Sequence, residues 1–239
     1  MTSSALPAPK LARPTAQPPY RGKVLVVSPH PDDESIGPGA TLVLHRQLGD
    51  PVAALWVTSG VHGDPKGRAD PEGYVATRRA EAEAAAATLG VGSTEFWGYP
   101  DGMVVTESDL AAVAERLLDL IARLRPDVIY APHLGEAHSD HHFTARAVIA
   151  AHRRALAQVP GYRGHVLGFE VWSACDPDWA VDVGSTYDTK LAAIRCYASQ
   201  LEHNDIPRMI DGLNRFRAVL LPPGGLWAEA FVELGGAAS

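Results

Sequence analysis

The chain has 239 residues, enough for one large domain or two small ones, and 46% of them are hydrophobic, which is typical of globular proteins. Its 21 Lys and Arg against 28 Asp and Glu give a net charge of −7, so it lacks the basic surplus of nucleic-acid-binding proteins. Two cysteines exclude a disulfide framework, and the sequence shows neither a secretion signal nor a membrane span, so we expect a cytoplasmic protein without nucleic-acid or membrane partners.

The first 20 residues are rich in Pro and Ala and are predicted to form a flexible tail, followed by one domain over residues 21–239. In chain order, short apolar runs predict strands at residues 23–28, 52–60 and 127–133, with a weaker candidate from residue 165. Amphipathic patterns predict helices at residues 39–48, 76–89, 107–124, 144–158, 188–201 and 205–220.

This alternation of strands and helices predicts a Rossmann-like three-layer α/β fold with a mostly parallel sheet. In such folds, ligands bind at the carboxyl ends of the strands. Polar motifs that directly follow a predicted strand are therefore the first candidates for a functional site.

The first such motif is PHPDDE, residues 29–34. His30 and Asp33 offer an imidazole and a carboxylate three positions apart, and the proline between them restricts the backbone to a turn that can direct both at one ion. Asp32 is then a carboxylate near the ion, where a general base belongs. Taken alone, an acidic run of this kind is more typical of a helix N-terminus.

The second motif, HLGEAHSDHH at residues 133–142, contains four of the ten histidines and follows the strand predicted at 127–133. Imidazole is a common zinc ligand, and catalytic zinc keeps three protein ligands and one open position for water. Such a run alone can be a surface tract that scavenges metal. Because both motifs follow strands of one predicted sheet, together they indicate a metal site.

These residues carry a family resemblance. The run PHPDDESIGPGATL from Pro29 resembles the signature of the LmbE-like, or PIG-L, zinc-dependent N-acetylglucosaminyl deacetylases, and AHSDHH resembles their later H-x-D-H motif. Weaker matches follow in the same order between Lys23 and Glu233: TRRAEAEAAAATLG with Arg78 and Glu81, YPDGM, RPDVIYAP, FEVW, KLAAIRCYASQ and WAEAF.

The resemblance implies one Zn²⁺ per chain, or another divalent metal, with His30, Asp33 and His141 as its ligands. It implies Asp32 as the general base that takes a proton from water. Water bound to zinc has a pKa of about 7, so hydroxide is available at neutral pH.

One departure concerns the third ligand. Ser139 stands where relatives usually have proline, and His142 directly follows His141, so His142 is an alternative ligand. We favour His141, because its i, i+3 spacing from His138 keeps the two side chains on one side of a helical turn.

The remaining roles concern the substrate. The resemblance implies that a protonated His138 faces the reacting carbonyl oxygen and that Asp140 orients the His138 ring. Arg78 and Asp101 occupy positions that resemble those contacting the substrate sugar. Glu136 is expected to line the pocket and to contribute to substrate specificity.

The predicted reaction is hydrolytic removal of an acetyl group from an N-acetylglucosamine-type amino sugar or its conjugate, a small-molecule substrate. The leaving amine takes its proton from Asp32 or from His138, and the sequence does not choose between them. The loop at residues 61–74 is either a mobile lid or a plain surface loop. A homo-oligomer is compatible with the sequence.

Two alternative functions stay open. The string Asp140-His141-His142 resembles the motif of a class of metal-dependent phosphoesterases, but these need a second metal site with further aspartates. A catalytically inactive sugar-binding relative is the other alternative, and it would have no need of Asp32.

Overall fold

Eight strands form one sheet in this computed structural model, which describes residues 11–64, 66–67, 70–102 and 106–236. The strands are β1 (Arg13–Thr15), β2 (Val24–Ser28), β3 (Val52–Thr58), β4 (Ser93–Tyr99), β5 (Val128–Pro132), β6 (His165–Phe169), β7 (Trp179–Asp182) and β8 (Ala228–Gly235). Their order across the sheet is β1-β7-β8-β6-β5-β2-β3-β4. Neighbouring strands are parallel, except that β8 is antiparallel to β6 and β7.

Helices cover both faces of the sheet, which confirms the predicted α/β fold. They are α1 (Asp33–Ile36), α2 (Gly39–Gln47), α3 (Pro71–Leu89), α4 (Glu107–Leu124), α5 (Ser139–Gln158), α6 (Tyr187–Arg195), α7 (Ala198–Leu201) and α8 (Ile206–Arg217). Helices α2, α3, α6 and α8 pack on one face, and α4 and α5 pack on the other. Among the described helices, none is long and apolar enough to cross a membrane.

Strand β2 shows why the sequence produces this architecture. Val24 and Val26 belong to the core on one face of the sheet, whereas Leu25 and Val27 belong to the core on the other face. Side chains alternate between the two faces of a strand, so a strand covered by helices on both sides must be apolar at every position. The uninterrupted apolar run at residues 24–27 is the result.

The structure departs from the predicted elements at the sheet edges. Arg13–Thr15, predicted as part of the flexible tail, forms β1 and pairs with β7, and residues 1–10 of that tail lie outside the described residues. Strand β4 was not predicted, because this edge strand keeps polar and half-buried residues in place of an apolar run. Short edge strands gain much of their order from the neighbouring strand and therefore have a weak local signal.

Three helix boundaries also differ. Helix α3 begins at Pro71, because the Asp70 side chain accepts a hydrogen bond from the Gly73 N–H at 2.8 Å and proline fits the first turn. Helix α5 begins at Ser139, five residues before its predicted start, so His141 lies in its first turn. The helix predicted at 188–201 is divided into α6 and α7.

The carboxyl ends of β2, β3, β4, β5 and β6 lie along one edge of the sheet, because these strands are mutually parallel. Both predicted motifs follow strands at this edge, PHPDDE after β2 and HLGEAHSDHH after β5. The fold therefore brings the two motifs together, as open α/β sheets do with their ligand sites.

Candidate active site

The turn after β2 has an unusual backbone at Asp32, whose φ of 138° is rare for residues other than glycine. The Asp32 carbonyl accepts hydrogen bonds from the N–H groups of Ser35 and Ile36, at 3.0 and 2.9 Å, at the start of α1. The buried Glu34 carboxylate accepts from Trp56 Nε1 at 2.8 Å and from the Asp32 N–H at 3.3 Å. Several hydrogen bonds thus hold a strained residue in place, as is common at functional sites.

His30, Asp33 and His141 form the centre of the site. Asp33 Oδ2 lies 3.3 Å from His30 Nδ1 and 3.3 Å from His141 Nε2. His141 is fully buried, and both of its ring nitrogens lack a hydrogen-bond partner. Nitrogen and oxygen atoms on one tetrahedral zinc ion, each bonded at about 2.0–2.1 Å, lie about 3.3 Å apart. The spacing, the chemistry and the unsatisfied nitrogens of these three side chains fit a divalent metal such as zinc.

Each imidazole of this centre has a carboxylate on its far side. His30 Nε2 lies 3.0 Å from Asp140 Oδ2, and His141 Nδ1 lies 3.5 Å from Glu136 Oε2. Outer carboxylates of this kind fix the ring orientation and the tautomer of metal-binding histidines. The second nitrogen of each ring is thereby left for a metal.

Asp140 was predicted to orient the His138 ring, and this partner is wrong. Its carboxylate contacts His30 and accepts a hydrogen bond from the Gly102 N–H at 2.8 Å, and it does not orient the His138 ring. The physical reason is that only the Asp140 N–H reaches His138, whose Nδ1 accepts from it at 3.2 Å at the start of α5.

The prediction that Glu136 lines the substrate pocket is also wrong. Its buried carboxylate accepts hydrogen bonds from the N–H groups of Val171, Trp172 and Ser173, at distances from 2.7 to 3.2 Å. Glu136 thus links His141 to the segment after β6, and no part of it borders the cavity described below.

The charges of the centre are strongly coupled. Burial alone would lower the pKa of His30, but hydrogen bonds that the ring donates to Asp140 and Asp33 raise it to about 10. Burial opposes the charge of His141 too, and Asp33 and Glu136 raise its pKa to about 9. Burial would raise the pKa of Asp33, but the two imidazoles hold it well below its usual range. Protons and a metal ion therefore compete for the same nitrogens.

His138 is exposed to the cavity, and its nitrogens are not equivalent. Because Nδ1 accepts the Asp140 N–H, the neutral ring carries its proton on Nε2. Burial and the neighbouring charges of His30 and His141 lower the pKa of His138, which favours the neutral ring rather than the predicted protonated one. One ring nitrogen from each of His30, His138 and His141 lies within 4.8 Å of the other two, so His138 also borders the possible metal position.

His142, the alternative third ligand, is directed away from this cluster. Its ring is exposed, and its Nδ1 lies 3.0 Å from the carbonyl oxygen of Leu134. The structure places His141, and not His142, beside Asp33.

Asp32, the predicted general base, lies beside the centre and contacts Arg78. Burial raises the pKa of Asp32 to about 7, and the Arg78 guanidinium limits the rise. Arg78 Nη2 lies 3.2 Å from Asp32 Oδ2 and also donates to the Pro31 carbonyl. Arg78 Nε and Nη1 are buried without a hydrogen-bond partner. Arg78 therefore has donors to spare for a further ligand.

A cavity of about 320 Å³ opens over these residues. Its lining includes the predicted site residues His30, Asp32, Asp33, Arg78, Asp101 and His138, together with Gly60, His62, Gly63, Gly102, Ser139, Trp172 and Gln200. Trp172 is 48% exposed at this cavity, although large aromatic side chains usually serve packing. Gly60, at φ 72°, borders the cavity where a Cβ atom would come within 3.0 Å of Arg78 Nε.

Asp101 also holds the loop at residues 61–74. Its carboxylate accepts hydrogen bonds from the N–H groups of Gly60 and His62, both at 2.8 Å. The Tyr74 hydroxyl donates to the Gly63 carbonyl at 2.9 Å, so the described part of the loop is anchored at both ends. These anchors favour the plain surface loop over the lid, although residues 65, 68 and 69 lie outside the described part. Met103 of the YPDGM match lies outside it as well.

Sequence reasoning missed Gln200, which lies in the KLAAIRCYASQ match without an assigned role. For Trp172, in the FEVW match, the sequence predicts a place in the core or the pocket wall, and the structure places it at the cavity. No periodic pattern in the sequence marks either residue as part of the cavity. Their position depends on how α7 and the segment after β6 dock against the rest of the chain.

Comparison with known proteins identifies a family. Residues 25–152 match the family model described as "PIG-L: GlcNAc-PI de-N-acetylase". A 1D-myo-inositol 2-acetamido-2-deoxy-alpha-D-glucopyranoside deacetylase of Mycobacterium sp. (strain KMS) is 28% identical over 263 residues, covering 84% of this chain and 85% of the relative.

Two solved structures share the fold. One is an N,N'-diacetylchitobiose deacetylase from Pyrococcus horikoshii, with a TM-score of 0.76, 25% identity and coverage of 90% of this chain and 84% of that chain. The other is GalB, a 4-carboxy-2-hydroxymuconate hydratase from Pseudomonas putida, with a TM-score of 0.76, 25% identity and coverage of 91% and 98%. The relatives that share this architecture thus include deacetylases and a hydratase.

Proposed function

The chain belongs to the PIG-L family of de-N-acetylases, and on that premise we propose that it hydrolyses the acetamide of an N-acetylglucosamine conjugate. The observation that carries the proposal is the arrangement of His30 and His141 around Asp33, each ring backed by an outer carboxylate, directly beside Asp32. This combination offers a metal site and a free base in one cavity.

His30, Asp33 and His141 would hold the metal, for which we propose Zn²⁺. When bound, zinc lowers the pKa of its water from about 15.7 to about 7 and so supplies hydroxide at neutral pH. Nε2 of His141 and Nδ1 of His30 would offer the nitrogen ligands, and Asp33 Oδ2 would offer the oxygen.

Asp32 acts as the general base. Its carboxylate borders the cavity beside Asp33, and Arg78 holds one of its oxygens at 3.2 Å. Taking the water proton neutralises Asp32, which then holds a proton that can be returned. We therefore assign to Asp32 the donation of this proton to the leaving amine.

His138 stabilises the oxyanion. Its Nε2–H is the ring donor, because Nδ1 is occupied by the Asp140 N–H. As the amide carbonyl becomes tetrahedral, negative charge grows on its oxygen, and a fixed donor in a restricted cavity stabilises that charge. A neutral imidazole can do this without a change of protonation state before reaction.

The lining of the cavity favours a neutral substrate over one with several carboxylates. Of the described residues that line it, Arg78 is the only Lys or Arg, and Asp32 balances its charge, so its free Nε and Nη1 donors suit neutral oxygens such as hydroxyl groups. A substrate with three carboxylates, as the name of the hydratase indicates for that relative, would need more cationic partners. The acetamido sugars named for the two deacetylases carry hydroxyl groups instead.

The test is acetate release by zinc-loaded protein from N-acetylglucosamine conjugates and from N,N'-diacetylchitobiose. We expect release by wild type and a loss of at least about 10²-fold in Asp32→Asn, which removes the base and keeps the shape of the side chain. Equal acetate release by wild type and Asp32→Asn, or none by wild type from any of these substrates, would contradict the proposal.

The same protein preparation separates the alternatives. Release of phosphate from phosphomonoesters, or of a phosphomonoester and an alcohol from phosphodiesters, would indicate the phosphoesterase, for which the described residues offer one cluster of His ligands rather than two metal sites. Sugar binding without turnover would indicate an inactive relative, and hydration of an unsaturated acid would indicate a hydratase.

A further inference from the structure

The segment after β6 forms part of the cavity wall and has no regular secondary structure of its own. We call residues 171–173 the wall segment; its central residue is Trp172, which lies partly exposed at the cavity. All three of its main-chain N–H groups donate to the buried carboxylate of Glu136, at distances from 2.7 to 3.2 Å. A single carboxylate therefore takes the place that a neighbouring strand has in a sheet.

Two further contacts hold the wall segment against the loop after β5. His133 Nδ1 accepts the Gly135 N–H at 3.0 Å, so its Nε2 carries the proton and donates to the Ser173 carbonyl at 2.8 Å. The Ser173 hydroxyl accepts the Ala137 N–H at 3.0 Å. The wall segment is thus bound to this loop through its donors and through its acceptors.

Glu136 also faces a predicted metal ligand. Its Oε2 lies 3.5 Å from Nδ1 of His141, and Nε2 of the same ring lies 3.3 Å from Asp33 Oδ2. A histidine that binds a metal through Nε2 carries its proton on Nδ1, and the charge of the metal makes that N–H a stronger donor. The carboxylate that holds the wall segment is therefore also the outer carboxylate of a metal ligand.

The gap between these two side chains leaves room for a change. Nδ1 of His141 is buried without a hydrogen-bond partner, and 3.5 Å is longer than a usual hydrogen bond. A charge-assisted hydrogen bond is about 2.7–2.9 Å long, so its formation would close the gap by about 0.6–0.8 Å. Because the Glu136 carboxylate is bound to three main-chain N–H groups, part of this movement passes to the wall segment.

We propose that Glu136 is a positioning residue that couples metal binding at His141 to the position of Trp172 in the cavity wall. The inference rests on the metal site of the proposed function and adds a link between that site and the wall that faces the substrate. Coupling between two sites is reciprocal, so a ligand that fixes Trp172 should also strengthen metal binding.

Tryptophan fluorescence during a zinc titration tests this coupling. Zn²⁺ has no redox chemistry, so a change in emission reports a change around the indole ring. We expect zinc to change the emission of the wild-type protein. Trp172→Phe removes one of the five tryptophans, the one in the wall segment, and should abolish the change while zinc still binds. Calorimetry measures zinc affinity in the same samples.

Two substitutions of Glu136 separate coupling from binding. Glu136→Gln keeps the size of the side chain and removes its charge. We expect it to bind zinc about 10- to 100-fold more weakly and, at zinc concentrations that saturate the site, to lack the Trp172 emission change. Glu136→Asp keeps the charge on a shorter side chain and should recover part of both properties.

Glu81→Gln is the matched control. The Glu81 carboxylate accepts the Ser199 N–H at 2.8 Å and so holds α7, which also reaches the cavity. None of its contacts among the described residues involves a predicted metal ligand. This variant should keep the wild-type zinc affinity and the emission change of Trp172.

Hydrogen exchange in the wild-type chain provides a second measurement, which stands even where Glu136→Gln does not fold. Zinc should slow the exchange of the three wall-segment N–H groups by roughly tenfold relative to the Ser199 N–H, which a carboxylate outside the metal site holds. The ratio to Ser199 removes any general stabilisation of the fold. An unchanged ratio overturns the coupling.

The fluorescence outcomes separate this inference from the proposed function. Zinc binding without an emission change from Trp172 overturns the coupling. A full emission change or a wild-type zinc affinity in Glu136→Gln, or an equal loss in Glu81→Gln, overturns it too, while acetate release by wild type keeps the deacetylase function. A wild-type protein that shows the coupled emission change but releases no acetate overturns the deacetylase function alone.

Discussion

Two clusters of buried charge lie near the α1–α2 segment, and the first is complete in itself. Lys190 Nζ donates to Glu229 Oε1 at 2.6 Å and to the Gly37 carbonyl at 2.9 Å. The Glu229 carboxylate also accepts the N–H groups of Ala40 and Thr41, at 2.9 and 2.8 Å, in the first turn of α2. Each charged group of this lysine cluster therefore has protein partners.

The second cluster, formed by His30, Asp33 and His141, is incomplete. Both ring nitrogens of the buried His141 lack a hydrogen-bond partner. A buried polar atom without a partner costs free energy, so it indicates either a defect or a missing ligand. The difference teaches that buried charge alone does not identify a functional site in this fold. The histidine cluster is distinguished by unsatisfied ring nitrogens, which are metal-binding atoms, beside a shared carboxylate.

The largest effect on stability is expected from a substitution that breaks the lysine cluster. Lys190→Met leaves the Glu229 carboxylate buried without its cation, and we expect the free energy of unfolding to fall by about 3–5 kcal/mol. Denaturant titration of the zinc-free protein measures this loss. Lys66→Met, which removes an exposed ion pair, should cost less than about 1 kcal/mol. Similar losses in the two variants would mean that the lysine cluster is not a structural element.

The next effect tests whether His138, which borders the histidine cluster, is a hydrogen-bond donor or a metal ligand. His138→Ala should lower kcat by about 10²- to 10³-fold and leave one zinc per chain, because His138 is assigned as a donor and not as a ligand. Steady-state kinetics measure the change in kcat, and metal analysis measures the zinc content of the variant. Loss of zinc in this variant would make His138 a ligand. His142→Ala, at the neighbouring exposed position, should change kcat little.

Metal addition should then distinguish the two clusters directly. At a free zinc concentration 100 times the dissociation constant, the wild-type protein should gain about 2.7 kcal/mol of stability. Asp33→Asn should abolish this gain, whereas Lys190→Met, though destabilised, should retain it. Thermal unfolding with and without zinc measures the increments. A zinc-dependent gain in Asp33→Asn equal to that of wild type would refute the site.

The smallest effect is the pH dependence of stability that arises from a buried histidine outside both clusters. His152 is buried, its Nε2 lies 2.8 Å from the Gly164 carbonyl, and burial lowers its pKa below the usual value. The unfolded chain therefore binds a proton at this residue before the folded chain does. Stability should fall as the pH decreases below about 6.5, by up to about 1.4 kcal/mol per pH unit from this group.

His152→Gln can keep a donor for Gly164 but does not titrate in this range. The difference between wild type and this variant in zinc-free denaturant titrations at pH 7.5 and pH 5.5 isolates the contribution of His152. Parallel stability curves for the two proteins over this interval would contradict the assignment of His152 as a neutral buried group.

The sequence was sufficient to predict the fold and to place the two polar motifs at strand ends, because both depend on local signals. Apolar runs predicted β2, β3 and β5, and the proline-flanked HPDD turn predicted where His30 and Asp33 would lie. The four histidines after β5 identified the other half of the site.

The partners of the carboxylates could not be predicted in the same way. Asp140 reaches across to His30, on a loop 110 positions earlier, and Glu136 reaches the main chain of the segment after β6. These contacts depend on the register and packing of β2, β5 and β6, which no local pattern encodes. Gln200 was missed for the same reason, since only the docking of α7 brings it to Gly63.

The backbone at Asp32 has a consequence for how this protein can change over generations. At φ 138° glycine is favoured over every residue with a Cβ atom, so replacing Asp32 by glycine would relieve strain of the order of 1–3 kcal/mol. The same change would leave the buried Arg78 guanidinium without its carboxylate partner, at a cost of about 3–5 kcal/mol that exceeds the strain relieved. The pairing with Arg78 therefore keeps an aspartate at a position whose backbone favours glycine, even in a lineage that no longer needed the reaction.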